Sequence, residues 1–463
     1  MAVGLPCLHV PEPSSNRPVA TVPPAPAKNS WLAAQGRLPL AFMGLGLVWI
    51  VTVAALHVAR PDLPVLPHVL PPVIAVAHAW ILGFLVTVAC GAVYQLVPVA
   101  LGTTLWNERL GWLHFILHAV GVPGMVVSFW HWNLEWLGGF GSAVALGIVF
   151  FSLNTWITVK RSSRRGTVAG SIMLATGWLL FAVLAGLLLV ANRVWAFIPL
   201  HPFALLRGHA HLGVVGFFVT LLQGVGFQLI PMFTLGEVRH WGLAKTGLWL
   251  SQLGLIALVP ALIWQVEPLA LTGALAITAG LVFSGVGLRQ ALATRKKRRL
   301  DPGLVAFLRG GVGLCAAALA GTALALPGST HGITAGGFNA MTYALLGILG
   351  GLLPCVAGMM CKVVPFLTWM RAYGPRVGRG PTPPAHALTH PRIERWGLSL
   401  QQLSVAPMLV GAWTLDGLWL RLGAWMLAAG VVLFALDMLG VMKHLWIQTA
   451  APAPAPASEP KLI

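Results

Sequence analysis

Apolar runs of about 20 residues, the length needed to cross ~30 Å of hydrocarbon, follow one another along almost the whole of this chain. Inside a bilayer no water satisfies backbone N–H and C=O groups, so each such run is constrained to be an α-helix. Twelve spans are read: Leu38–Leu56, Val73–Leu105, Leu110–Trp130, Gly138–Val159, Val168–Val190, Pro202–Leu235, Gly247–Trp264, Pro268–Leu288, Leu304–Leu326, Gly332–Met370, Leu398–Leu415 and Leu418–Met442. The second, sixth and tenth exceed a perpendicular crossing and must tilt or project beyond the bilayer. Composition agrees, with 57% hydrophobic and 9% charged residues, where a soluble domain carries about 25% charged. The expected fold is an all-α polytopic membrane protein.

The formal charge of +18 invites a nucleic-acid reading, but the placement of the charge excludes it. "VKRSSRRG", "TRKKRR" and "MRAYGPRVGRG" all fall in loops on one side of the membrane, and only Arg60, Arg193, Arg207 and Arg421 fall on the other. By the positive-inside rule the basic side is cytoplasmic, which puts both termini in the cytoplasm of a bacterial-type inner membrane. Anionic lipid is the natural contact for such loops. Residues 1–37 are Pro- and Ala-rich without a signal-peptide core and read as a flexible tail. Residues 38–445 form the membrane domain, and 446–463, ending "APAPAPASEPKLI", a second tail. The cysteines form no C-x-x-C pair, so neither zinc nor haem-attachment motifs are present.

Two of the long spans repeat each other. "HAWILGFLVTVACGAVYQLVP" from His78 and "HLGVVGFFVTLLQGVGFQLIP" from His211 agree at 9 of 21 positions. Pro98 and Pro231 lie 133 residues apart, and Pro365, closing "GMMCKVVP", lies 134 beyond Pro231. Three units of four helices is the economical description. Transporters built from two related halves fit such a pattern poorly.

The threefold organisation and the "HAWILGFLVTVACGAVYQLVP" helix resemble the main subunit of the haem-copper oxidase superfamily, most of all its nitric oxide reductase branch. The resemblance implies metal ligands on the second, sixth and tenth helices, and a haem, haem b in the first instance. His78 then becomes an axial ligand, against the bland reading of an imidazole at the interface. "LLRGHAHLG" sets His209 and His211 two residues apart, about 200° around a helix, so their rings serve opposite faces. As the repeat counterpart of His78, His211 is its expected partner on one iron. His209 then faces the tenth helix, where its counterpart is Tyr343, one of three tyrosines. These two are the expected catalytic pair at a second centre, a copper or a second haem; the bland reading of Tyr343 is a buried phenol bonded to a carbonyl. Arg207 and Arg421 are the expected donors to haem propionates.

His114 and His118, four apart on the third span, lack a third ligand and read as helix-face histidines. His131 reads as an interfacial anchor among tryptophans, and Cys355, Met359, Met360 and Cys361 as packing residues. The seventh span, "GLWLSQLGLIALVPALIW", holds no histidine, so the copper triad of the oxidase family has no counterpart. Among intramembrane carboxylates only Asp437 lies well inside a span, and no proton pumping is expected. The functional expectation is redox or electron-transfer chemistry, on nitric oxide or oxygen, with an external donor such as a cytochrome and a partner membrane subunit. A non-catalytic haem or metal protein of the nitric oxide response, similar to the NnrS family, is the second reading. A solute transporter is the third.

Overall fold

The structure is a computed structural model that describes residues 36–164, 166–326, 328, 340–377 and 381–447. The tails, Cys7 and His331 therefore lie almost wholly outside the described residues. What is described is helical, in chain order α1 (Arg37–Ala59), α2 (Pro71–Leu101), α3 (Glu108–His131), α4 (Leu134–Arg161), α5 (Thr167–Trp195), α6 (Pro202–Thr234), α7 (Trp241–Trp264), α8 (Glu267–Ala293), α9 (Pro302–Leu324), α10 (Ala340–Ala372), α11 (Pro391–Thr414) and α12 (Gly417–Met442). Eleven are long and apolar enough to cross a membrane. The exception, α11, breaks at Ser404 into pieces of 13 and 10 residues, so the expected twelve spans are present with one of them bent. The second span stops earlier than Leu105, because Gly102 turns left-handed at φ +61° and caps α2.

The long helices are the centre. Within their most apolar windows α2, α6 and α10 are 72%, 78% and 78% buried, whereas the other candidate spans range from 28% to 61%. Each packs mainly on its own unit: α2 on α1, α3 and α4; α6 on α5, α7 and α8; α10 on α9, α11 and α12. The units join through α4 with α5, α8 with α9, and α12 with α1, which closes a ring. A pseudo-threefold bundle results.

All three inner helices carry one wide, π-type turn: Ala79–Val86, Leu212–Val219 and Leu346–Leu352. Their starts are 133 and 134 residues apart, the spacing of the three prolines, so the degenerate third copy is real in three dimensions. A wide turn frees a carbonyl that must find a donor. Thr87 donates to the Leu82 carbonyl at 2.8 Å, and its counterpart Thr220 to Val215 at 3.3 Å. The counterpart in α10 is Pro354, whose missing N–H itself leaves a carbonyl without its helix donor and so favours the wide turn there.

A glycine in each wide turn admits the first helix of the unit. A Cβ on Gly83 would lie 2.5–2.9 Å from the Trp49 ring of α1, and one on Gly216 would lie 2.8 Å from Trp178 Cβ of α5. In the third unit small meets small, with Gly313 of α9 against the Gly350 backbone. Trp178 is also held by its Nε1, which donates to Gln252 of α7 at 2.6 Å, and Gln252 donates on to Thr220 at 2.8 Å. Gly216→Val should therefore displace Trp178 and break this link. A loss of about 1–3 kcal/mol is expected, read as a lower unfolding temperature in detergent.

Candidate functional site

His78 and His211 stand immediately before their wide turns. In each ring Nδ1 lies 2.8 Å from the carbonyl one turn back, Ile74 for His78 and Arg207 for His211. A carbonyl only accepts, so Nδ1 carries the proton and Nε2 keeps its lone pair. His209 is pinned in the same sense across helices, with Nδ1 donating to Ala182 of α5 at 3.0 Å. Gly186, one turn along α5, leaves room for that ring, since a Cβ there would come within 3.0 Å of His209 Cε1.

His209, rather than His211, is set against His78. Their ring centroids are 6.2 Å apart and their planes differ by 19°, while His78 also stacks on Phe129 of α3 at 4.5 Å. His211 turns to α10, where its Nε2 accepts from the Tyr343 hydroxyl at 3.1 Å and the two rings lie 5.9 Å apart. The expected partners are thus exchanged. Equivalent positions meet across a twofold axis, but around a threefold axis one surface of each unit meets a different surface of the next. In two of the three interfaces a residue on one inner helix meets the position two residues earlier on the following one. His78 meets His209 and His211 meets Tyr343. Leu345 and Val76, the third pair of that cycle, are apolar and buried.

Neither His78 nor His209 has a protein partner for Nε2 among the described residues. Two imidazoles joined through one metal atom by bonds of about 2.0–2.1 Å have ring centres roughly 6 Å apart, and the observed separation of 6.2 Å is of that size. No group of three or more His, Cys, Asp or Glu able to hold an ion exists among the described residues. A bare zinc ion wants about four ligands, whereas iron already held by a porphyrin takes its one or two axial ligands from the protein. The donor set fits haem iron better than a free ion.

The rim of the site lies at the end of the bundle away from the basic loops. There His68 packs on Phe203 at 5.8 Å, and Phe203 on His201 at 5.1 Å. His68 lies outside the spans, and partial burial, then the charge of Arg207, lower its pKa from the usual value. Arg207 is exposed within the rim segment. Arg421 is exposed on α12, which packs on α1, α10 and α11, and its guanidinium lies beside Gly417 of its own helix. No contact links it to the His78–His209 pair among the described residues.

Sequence reasoning treated His114 and His118 as helix-face residues, yet both are 0% exposed. His118 Nε2 lies 2.8 Å from Thr87 Oγ1 and 3.2 Å from the Leu82 carbonyl. Since Thr87 spends its proton on Leu82, it accepts from His118. Tyr94 bonds His114 Nδ1 through its hydroxyl at 3.0 Å. His114 Nε2 and His118 Nδ1 have no protein partner among the described residues. The pair therefore clamps α3 to the first wide turn. A signal was present: Thr87 and Tyr94, seven apart, share a face of α2, as His114 and His118 share a face of α3. His118→Ala should strip Thr87 of its donor and leave a cavity, lowering stability by roughly 2–4 kcal/mol, measured as thermal unfolding.

No family model matches the sequence, and no curated protein matches it either. Among solved structures the chain is similar to a heme-copper terminal oxidase, determined by cryo-EM as a dimer. The likeness has a TM-score of 0.60 at 11% identity and covers 92% of this chain and 86% of the oxidase chain. The fold is that of a haem-copper oxidase subunit, in keeping with the resemblance read from the α2 helix.

Proposed function

We propose that this chain is a haem-binding membrane protein of electron transfer, with His78 and His209 as the residues that would hold one haem b through their Nε2 atoms. The observation that carries the reading is the pair of lone-pair-bearing Nε2 atoms on rings 6.2 Å apart, each ring fixed through Nδ1. A hydrogen bond from Nδ1 to a carbonyl sets the tautomer and raises the basicity of the coordinating nitrogen. The Ile74 and Ala182 carbonyls do this work here, from α2 and α5. Phe129 covers His78 and limits its rotation. When bound, the haem supplies a one-electron iron couple. Arg207, exposed at the rim, offers a charge-assisted donor to a carboxylate substituent of the ring. Electrons come from a separate donor such as a cytochrome.

The pair His211–Tyr343 favours a second reading, redox chemistry on a diatomic gas at the α6–α10 interface. There the phenol of Tyr343 caps the His211 lone pair at 3.1 Å. Occupation of His211 by a metal would first require that hydrogen bond to break, so this reading ranks below electron transfer.

Optical spectra of the purified protein decide between them. His78→Ala and His209→Ala should each abolish the low-spin haem signal, and His211→Ala should keep it. Retention of the full signal in the His78→Ala/His209→Ala double variant would overturn the assignment. Carbon monoxide should leave the reduced wild-type spectrum unchanged under electron transfer, whereas a shift would move the conclusion to gas chemistry.

A further inference from the structure

At the end of the bundle that carries the basic loops, α9 and α11 leave a cavity of about 250 Å³ between them. Val305 and Arg309 line it from α9, and Arg395, Leu398, Ser399 and Gln402 from α11. Each set is spaced at three, four or seven residues, so each comes from a single helix face. Both arginines are exposed, and neither has a hydrogen bond or ion pair among the described residues. The nearby carboxylates are already engaged. Glu394 accepts from the Gly303 N–H at 2.8 Å, and Asp301 pairs with Lys362 and with Lys297.

Depth narrows the ligand. Arg309 lies seven residues into α9, about 10 Å along the axis, within the apolar stretch of that span. An unpaired guanidinium there is costly and reaches toward the interface for an anion. Trp396, beside Arg395, is 61% exposed, the place of an aromatic anchor at the hydrocarbon boundary. The cavity thus sits at headgroup level, with two cations and two neutral donors, Ser399 and Gln402, next to the apolar walls of Val305 and Leu398.

We propose that this groove is a binding site for one anionic phospholipid, its phosphate held by Arg309 and Arg395 and the start of an acyl chain lying along Val305 and Leu398. A guanidinium pair forks onto phosphate oxygens, and the apolar wall distinguishes a lipid from a free phosphate ion. The site is independent of the haem reading, since it lies at the other end of the bundle from His78 and His209.

Native mass spectrometry of the delipidated full chain tests it, with phosphatidylglycerol and phosphatidylcholine as probes and inorganic phosphate as competitor. Wild type should retain one phosphatidylglycerol in preference to phosphatidylcholine. Arg309→Gln/Arg395→Gln should weaken that binding by about tenfold or more, whereas Arg193→Gln at the opposite end should not. Ser399→Trp, which fills the groove and leaves both charges in place, should give the same loss and so guards against misfolding of the double variant. Unchanged phosphatidylglycerol binding in these variants, equal retention of phosphatidylcholine, or displacement by inorganic phosphate would each overturn the proposal.

Discussion

A backbone carbonyl buried in a membrane must find a donor, and three times in this chain one turn of helix declines to supply it. The wide turns of α2, α6 and α10 open at equivalent positions, and much of the surrounding structure answers them. Thr87 and Thr220 cap the freed carbonyls. His118 and Gln252 then hold those threonines from neighbouring helices, so a local irregularity becomes a tertiary lock. π-type turns are rare and gather at functional sites, and here His78 and His211 each stand at the threshold of one. The widening rotates the helix after the histidine relative to the helix before it.

The architecture was legible because the membrane leaves so few choices. Apolar run length gave the spans, and the shared "H…GF.VT…QL.P" pattern gave the unit, even to the one-residue slip in the third copy. The break of α11 at Ser404 was not read, although Pro407 three residues on lacks the N–H that would bond the Leu403 carbonyl and so favours a break there. The site was legible in its members but not in their pairing. His78, His209, His211 and Tyr343 were all singled out, yet the repeat was read as though equivalent residues must face each other. Sequence shows which positions correspond; the order of the rotation axis decides which of them touch. The burial of His114 and His118 was missed because their spacing was read on α3 alone, without matching it to the Thr87–Tyr94 face of α2.

The three interfaces between inner helices have diverged while keeping one geometry. One joins imidazole to imidazole, the next imidazole to phenol, and the third is apolar. Only the first leaves both nitrogens open to a metal. The side chains at these positions have thus diverged: His78 lies against His209, a hydrogen bond joins His211 to Tyr343, and Leu345 and Val76 are apolar and buried.

The position of that site along the helices has an electrical consequence. His78 and His209 lie within the first turns of α2 and α6, near the membrane face opposite the basic loops. Moving one charge through the whole membrane is worth about 2.3 kcal/mol per 100 mV, but only the fraction of the field actually traversed counts. An electron that enters and leaves from the near face traverses little of it. Under the proposed haem reading, a centre there would exchange electrons with a donor on the near face almost silently with respect to membrane voltage.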